Sequence, residues 1–173
     1  WLCNPYDDTG FRPTGNVAPT HSIVFAGRLV SEKGGHVLLD ALHRLKHEYA
    51  LCPALTIVGD GPERQALAEQ AQRLGISGQV TFAGVQRDAA LAAQFSRNRI
   101  AVVPSIYQEP FGIVALEAMA CGCYVIGSHA GGLPEAIGPG GRTVEMNNAD
   151  ALATALADAL RQPPSRPDEA VAA

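Results

Sequence analysis

Long apolar runs and blocks of like charge are both missing from this sequence. No apolar run approaches the roughly 20 residues that a membrane-spanning helix needs. Lys and Arg are scattered over a chain of formal net charge −4, so no basic patch indicates a nucleic-acid partner. Apolar residues make up 47% of the chain and charged residues 17%, which is too apolar for a disordered protein and typical of a globular one.

The sequence also lacks the cysteine and histidine patterns of disulfide frameworks and metal sites. Its four cysteines have no framework spacing. Cys121 and Cys123 flank Gly122 at a predicted helix-to-strand turn, where a metal site would need more ligands nearby. His43 and His47 lie one helical turn apart, but no third ligand for zinc is apparent. We therefore expect structural cysteines in a reducing compartment, which favours a cytoplasmic protein, and no metal site.

The chain does contain a repeated alternation of short β-branched runs with helical patterns. The runs that predict strands cover residues 22–26, 55–58, 79–83, 100–103 and 123–126. The segments that predict helices cover residues 36–49, 63–74, 87–96, 112–121 and 149–161. This alternation predicts an α/β fold: a doubly wound, open, mostly parallel, Rossmann-like sheet of five or six strands with helices on both faces.

The length of 173 residues is typical of one domain and too short for a TIM barrel. We expect the domain to cover residues 20–161. Residues 1–19 and 162–173 are rich in Pro, Gly and polar residues, which predicts a leading linker and a flexible tail. Because ligands of open α/β sheets bind at the carboxyl ends of the strands, the loops after the strands are the candidate functional segments.

A pair of glutamates, Glu109 and Glu117, follows the fourth predicted strand with seven residues between them. If residues 112–121 form a helix, the residues one turn away from Glu117 are Ile113, Val114, Ala120 and Cys121. An ionised carboxylate is rarely buried on such an apolar face without a partner. Hydrogen-bond donors must therefore reach Glu117, and a polyhydroxyl ligand would supply them.

Two cations and a helix start could bind an anion at the same edge of the sheet. Arg28 and Lys33 lie in the loop after the first predicted strand, where Arg offers phosphate oxygens a planar fork and Lys a mobile charge. The residues alone leave open whether they bind phosphate or are two surface cations. The predicted helix start at residues 111–113 has free backbone amides, and Gly112 would let a ligand approach the backbone closely.

The remaining loops give weaker signals. Residues 59–61 begin like a dinucleotide fingerprint, but the third glycine is missing, so a tight turn explains them. Residues 84–88 favour a helix cap over a contact with a base. Taken together, the cations and the helix start could hold a diphosphate, while the two carboxylates could bind ribose and sugar hydroxyls. That combination describes a nucleotide diphosphate-sugar.

Five motifs in this order resemble the donor-binding half of retaining GT-B glycosyltransferases, most closely the family 4 group, the glycosyl transferases group 1. The resemblance covers roughly residues 20–161, which is nearly the whole chain. The motifs are 25–29 (FAGRL) with 33–34 (KG), 57–62 (IVGDGP), 80–84 (VTFAG), 104–105 (PS) with 109–112 (EPFG), and 117–122 (EAMACG).

The resemblance implies a role for each site residue. Arg28 and Lys33 would neutralise the diphosphate of the sugar donor. Glu117 would bind the ribose, and Glu109 would contact the sugar and shape the transition state. Arg28, Lys33 and Glu109 would be the catalytic residues. The positions implied in donor binding are Gly27, Arg28, Lys33, Val85, Gln86, Glu109, Phe111, Gly112, Ile113 and Glu117.

The reaction implied by the resemblance is the transfer of a hexosyl group, with retention of anomeric configuration, from a UDP-, GDP- or ADP-sugar to a glycan, a lipid-linked sugar or a small molecule. The bond between sugar and diphosphate breaks early, and the cations and the helix dipole stabilise the leaving oxygen. Because the cations do the work of a metal ion, we expect a metal-independent enzyme that has no cofactor.

GT-B enzymes have two α/β domains, and this chain resembles only the second. We therefore expect a missing N-terminal acceptor domain to be its partner and the fragment alone to have weak or no transfer activity. A peripheral association of the full-length enzyme with a membrane stays open. The alternatives are a nonenzymatic nucleotide-sugar-binding module, a GT-B-shaped epimerase, and an NAD-binding oxidoreductase domain. The last is disfavoured because the third glycine and the ribose-binding acid of the dinucleotide fingerprint are missing.

Overall fold

The computed structural model describes residues 10–13 and 20–162. Most of the predicted leading linker, 1–19, and nearly all of the predicted tail, 162–173, lie outside the described residues. The described part contains strands and helices in the predicted alternation. The strands are β1 (Thr20–Ala26), β2 (Leu55–Val58), β3 (Val80–Gly84), β4 (Asn98–Val103), β5 (Tyr124–Ser128) and β6 (Gly141–Val144). The helices are α1 (Gly35–Glu48), α2 (Arg64–Arg73), α3 (Asp88–Arg97), α4 (Ile113–Ala120), α5 (Leu133–Ile137) and α6 (Ala149–Arg161).

The strands form one six-stranded sheet in the order β3-β2-β1-β4-β5-β6. All the pairings between neighbouring strands are parallel. The chain proceeds outward in one direction from β1 to β3, returns to pair β4 with β1, and then proceeds outward in the other direction. The carboxyl ends of β1 and β4 therefore form the switch point of the sheet, which is where doubly wound sheets bind their ligands.

Alternation along the strands produces a core on each face of the sheet. In β1, Ile23 and Phe25 pack on one face and Val24 on the other. Helices α1, α2 and α6 cover the first face, and α3, α4 and α5 cover the second. The predicted doubly wound, Rossmann-like fold is thus confirmed, and its near-continuous apolar strands are explained by burial on both faces.

Strand β6 is the one strand of the described residues that the apolar runs did not predict. Its sequence is Gly-Arg-Thr-Val, and because it lies at the edge of the sheet its residues are half-buried or exposed. A short edge strand does not need the apolar run that marks a central strand. In the described part of the chain, no helix is both long enough and apolar enough to cross a membrane.

Candidate functional site

A cavity of about 240 Å³ lies at the switch point of the sheet, between the loop after β1 and the loop after β4. Its lining comprises Phe25, Ala26, Gly27, Lys33, Val103, Ser105, Glu109, Pro110, Phe111, Gly112, Ile113 and Val114. Six of the residues implied by the family resemblance therefore meet around one cavity, although residues 27 and 112 are far apart in the sequence.

Direct contacts fix the two loops against each other. The backbone amide of Ile106 donates a hydrogen bond of 2.8 Å to the carbonyl oxygen of Glu32. Gly34 has a φ of +69°, and a β-carbon at this position would clash with the carbonyl group of Pro104. Only glycine allows this left-handed conformation and this close approach without strain. The glycine after Lys33 thereby sets the distance between the two sides of the cavity.

An ion pair between Lys33 and Glu109 joins the loop after β1 to the loop after β4 at the cavity. The Lys33 ammonium nitrogen lies 2.6 Å from Glu109 Oε1, which also accepts a 2.6 Å hydrogen bond from Ser105 Oγ. The other carboxylate oxygen, Oε2, accepts a 2.6 Å bond from the Tyr107 hydroxyl. Glu109 is only 8% exposed, so three donors serve one nearly buried carboxylate.

These contacts keep both members of the pair charged. Burial by itself would raise the pKa of the Glu109 carboxyl, but hydrogen bonds from Lys33, Ser105 and Tyr107 and the Lys33 charge lower it overall. Burial would likewise lower the pKa of Lys33, but its bonds with Glu109 and Tyr107 and the carboxylate charge raise it overall. At neutral pH the cavity therefore contains an ammonium and a carboxylate.

A second glycine turn holds the loop after β4 from its other side. The backbone amide of Gly131 donates a 2.6 Å hydrogen bond to the side-chain oxygen of Gln108. The amide of Gly132 donates a 2.6 Å bond to the carbonyl oxygen of Glu109. A β-carbon on either glycine would clash with the backbone of residues 108–111. The loop after β4 is thus held between the turns after β1 and β5, which contact its backbone at residues 104–106 and 108–111.

Helix α4 begins at the cavity. Its N-cap residue, Gly112, has a φ of +66°, and no side chain caps the helix. Within the described ranges, the amides of Ile113 and Val114 donate no backbone hydrogen bond, as expected for a first helical turn. Because both residues line the cavity, an anion there would meet free amides and the positive end of the helix dipole.

Glu117 lies one helical turn after Ile113 and is half-buried, so the prediction of a buried face was too strong. Of its four neighbours one turn away, only Cys121 is buried. Among residues 10–13 and 20–162, no side chain donates a hydrogen bond to its carboxylate or forms an ion pair with it. Burial raises its pKa, and a hydrogen-bond donor from outside the described residues would stabilise its ionised form.

The other sequence-predicted positions are not part of the cavity lining. These positions are Arg28, Val85, Gln86 and Glu117. The Arg28 side chain is exposed in the loop after β1, beside the cavity residue Gly27. Val85, in the loop after β3, has 61% of its surface exposed. Exposed side chains in loops at the same sheet edge can reach a ligand larger than the cavity, as a nucleotide would be.

Ser105, Tyr107 and Gln108 contact Glu109 or its loop, but the sequence patterns did not assign them a role. The feature of the sequence that could have identified them is their position, because all three lie between the end of β4 and Glu109. The spacing could have suggested local contacts, whereas the contact of Tyr107 with Lys33 depends on the pairing of β1 with β4.

Cys123 and His43 make hydrogen bonds within the fold. Cys121 and Cys123 are buried thiols and Cys52 is an exposed one. The Cys123 sulfur lies 3.1 Å from the Phe95 carbonyl oxygen, and burial raises the pKa of Cys121 to about 11. The ring of His43 hydrogen-bonds the carbonyl oxygen of Leu74 at 3.1 Å. No group of three or more His, Cys, Asp or Glu is arranged to hold a metal ion in the described part of the chain.

Comparison with known proteins points to one family. The family profile described as glycosyl transferases group 1 matches residues 10–171. The chain is 37% identical over 143 residues to glycogen synthase of Mycobacterium tuberculosis, a match covering 82% of this chain and 34% of that protein. It is 34% identical over 149 residues to the GDP-mannose-dependent alpha-(1-6)-phosphatidylinositol monomannoside mannosyltransferase of Mycolicibacterium smegmatis, covering 82% of this chain and 39% of that protein.

Solved structures share the fold. The structure of Anabaena HepE in complex with UDP and glucose superposes with a TM-score of 0.80 at 26% identity, covering 92% of this chain and 46% of that one. The chain spans only about a third of the length of the curated relatives that it matches.

Proposed function

The chain belongs to the glycosyl transferases group 1, and from that premise we propose that it is the donor-binding domain of a retaining hexosyltransferase whose sugar donor is a nucleotide diphosphate-sugar. The observation that carries the proposal is the meeting of Lys33, Glu109 and the free start of α4 around one cavity at the switch point of the sheet. A cation and helix amides suit a diphosphate, and an ionised carboxylate suits the hydroxyls of a sugar.

We assign each group of atoms in the donor to one part of the site. The diphosphate lies between Lys33 and the first amides of α4, with Arg28 reaching it from the exposed side of the same loop. The sugar contacts Glu109 and the backbone at Phe111 and Gly112. The ribose hydroxyls donate to Glu117, since this carboxylate has no hydrogen-bond donor among the described residues. The base lies against the loop after β3, at Val85 and Gln86.

The proposed reaction breaks the bond between the anomeric carbon and the diphosphate oxygen. The electron pair of that bond leaves with the diphosphate, whose growing charge is stabilised by Lys33, Arg28 and the dipole of α4. The acceptor hydroxyl then forms the new bond from the same face, and its proton passes to the departing phosphate. This electrostatic strategy uses only side chains and amides, so we propose neither a metal ion nor a cofactor.

The donor is proposed as a class because relatives differ in the donors that their names give. The HepE structure holds UDP and glucose, whereas the mycobacterial mannosyltransferase is named as GDP-mannose-dependent. Since the chain spans about a third of its relatives, we propose that the acceptor binds to a second domain and that this domain alone transfers sugar weakly or not at all.

Isothermal titration calorimetry of the 173-residue chain tests the proposal. We expect binding of at least one of UDP-glucose, GDP-mannose and ADP-glucose, and no binding of NAD. In the same assay, Arg28→Ala should weaken binding of the nucleoside diphosphate more than binding of the nucleoside. A preference for NAD would contradict the proposal, and equal losses for both ligands would make Arg28 a structural residue.

A further inference from the structure

The hydroxyl of Tyr107 bridges the two charges at the cavity wall. It accepts a hydrogen bond of 2.9 Å from the Lys33 ammonium and donates one of 2.6 Å to Glu109 Oε2. The tyrosine ring also lies beside the ammonium, with its centroid 4.9 Å from Nζ. Tyr107 itself is not among the residues that line the cavity, whereas Lys33 and Glu109, the two residues that its hydroxyl contacts, both line it.

The division of contacts on the Glu109 carboxylate gives Tyr107 a separate task. Oε1 is held by both Lys33 and Ser105, whereas among the described residues Oε2 is held by Tyr107 alone. The last torsion of a glutamate is broad, so a carboxylate held at one oxygen can still rotate. A hydrogen-bond donor at the second oxygen removes that freedom and fixes the plane of the carboxylate.

The same hydroxyl also directs the lysine. An ammonium group has three N–H bonds. Glu109 and Tyr107 take two of them, and because Lys33 lines the cavity, the third is left for a ligand there. A hydroxyl that donates to the carboxylate and accepts from the ammonium therefore orients both charges relative to the cavity.

We propose that Tyr107 is a positioning residue that fixes the plane of the Glu109 carboxylate and the direction of the Lys33 ammonium, so that the site recognises the sugar of its donor as well as the diphosphate. This inference rests on the proposed donor-binding function. It assigns to Tyr107 the difference in affinity between a nucleotide-sugar and the corresponding nucleoside diphosphate.

The variant Tyr107→Phe isolates the hydroxyl, because the ring and its position beside Lys33 are retained. Tyr49→Phe is the matched control. The Tyr49 hydroxyl also makes a 2.9 Å hydrogen bond to another element, at Thr154, and a cation, Arg161, lies 5.6 Å from its ring centroid. The two variants therefore lose the same group from similar surroundings, but only one of them touches the cavity pair.

Calorimetry at pH 7 measures the affinities of both variants for a nucleotide-sugar and for its nucleoside diphosphate. In Tyr107→Phe we expect the affinity for the nucleotide-sugar to fall about tenfold further than the affinity for the diphosphate, as for a lost hydrogen bond to a charged group. Tyr49→Phe should leave the ratio of the two affinities unchanged. If Tyr107→Phe leaves the ratio of the two affinities unchanged, whether both affinities stay the same or both fall equally, the inference is overturned.

A second measurement needs no ligand. NMR titration of the Glu109 side-chain carboxyl carbon, assigned by its loss in Glu109→Gln, follows the ionisation of this group directly. The titratable groups that contact the carboxylate are Lys33 and Tyr107, and the raised pKa of Lys33 keeps the ammonium charged while a carboxyl titrates. Because the tyrosine hydroxyl donates to the ionised form, Tyr107→Phe should raise the pKa of Glu109, and Tyr49→Phe should not.

The two measurements separate the two proposals. If the wild-type chain binds no nucleotide-sugar, the proposed function fails, and with it the role of Tyr107 in recognising a sugar. If the wild-type chain binds but the Glu109 titration is the same in Tyr107→Phe, the hydroxyl does not hold the carboxylate and only the inference about Tyr107 is overturned. A raised pKa together with the selective loss of nucleotide-sugar affinity supports it.

Discussion

Two carboxylates eight positions apart in the chain have pKa values shifted in opposite directions. Burial disfavours the ionised form of both carboxyl groups and so raises the pKa of each. In Glu109 three hydrogen-bond donors outweigh this effect and lower the pKa overall, whereas Glu117 has no donor among the described residues and its pKa stays raised. The difference lies in the surroundings and not in the residue type. Glu109 is ionised and forms an ion pair with Lys33, whereas the Glu117 carboxylate can accept hydrogen bonds from a ligand.

The raised pKa of Glu117 predicts a pH dependence of nucleotide-sugar binding. If the ionised carboxylate accepts the ribose hydroxyls, affinity should be full at neutral pH and fall as the pH decreases through a pKa above the ordinary 4.5. Glu109 cannot cause this loss, because its pKa lies below 4.5. Calorimetry between pH 4.5 and 7.5, in roughly half-unit steps around these ordinary carboxyl values, measures the curve. In Glu117→Gln the loss of affinity above pH 4.5 should disappear.

The same assay at neutral pH measures how much the Glu117 carboxylate contributes to the free energy of binding. Glu117→Ala should weaken nucleotide-sugar binding by about 1.5–3 kcal/mol, the range for hydrogen bonds to charged groups. Glu69→Ala is the control, since Glu69 is an exposed residue of α2 whose carboxylate contacts Gln65. An unchanged affinity in folded Glu117→Ala would contradict the ribose assignment.

Sequence patterns predicted the residues that carry charge at the cavity better than the residues that orient them. Lys33 and Glu109 follow predicted strands, so the rule that parallel strands end at one edge places them together. The contact between Tyr107 and Lys33 depends on side-chain directions within an irregular loop. No periodicity governs a loop of that kind, so only the three-dimensional structure shows this contact.

At the scale of the elements, the loop between β4 and α4 is held by glycines of two other loops. Gly34 packs on it from the loop after β1, and Gly131 and Gly132 pack on it from the loop after β5. The site therefore combines hydrogen-bonded polar side chains with a backbone that has little freedom. Such preorganisation lowers the conformational cost of binding.

A series of glycine-to-alanine variants tests this clamp. Gly78 has an ordinary φ and open space around it, and Gly75 has a φ of +65° in open space. Gly34 combines a φ of +69° with a close backbone neighbour. In urea unfolding we expect little change for Gly78→Ala, a loss of roughly 1 kcal/mol for Gly75→Ala, and a larger loss, on the order of 3 kcal/mol, for Gly34→Ala.

The comparison between the last two variants is decisive. Gly75→Ala carries the cost of the left-handed backbone alone, so any excess loss in Gly34→Ala measures the clash with Pro104. Equal losses would show that the two loops do not press on each other at this point. Where Gly34→Ala remains folded, its affinity for the nucleoside diphosphate should also fall, because Lys33 precedes the altered residue.

The helices could be predicted from their apolar periodicity, and the central strands from their short continuous apolar runs. Helix α6 has the predicted bounds of 149–161, and β2 has those of 55–58. The edge strand β6 could not be predicted in this way, since a half-exposed run of four residues has no apolar pattern. A strand that is buried on both faces needs a continuous apolar run, which the sequence shows, whereas a strand at the edge of the sheet needs fewer apolar residues and is harder to recognise.

At the scale of the whole molecule, the cavity joins the two halves of the sheet. Its lining comes from the loop after β1 on one side and from the loop after β4 and the start of α4 on the other. The chain reverses its direction of progress across the sheet between these two strands. A ligand bound there would contact both halves, so we expect binding to stabilise the domain as a unit.

This expectation predicts the thermal unfolding of the 173-residue chain. The free chain should unfold in one transition, because both apolar cores share the same sheet. A nucleotide-sugar present at 100 times its dissociation constant should add about 2.7 kcal/mol to the free energy of unfolding and raise the single Tm, whereas NAD at equal concentration should not. In Glu117→Ala the shift at that same ligand concentration should be smaller, because this variant lacks the carboxylate that we propose binds the ribose. If the ligand instead split the curve into two transitions, the halves of the sheet would be unfolding separately and the cavity would not be joining them.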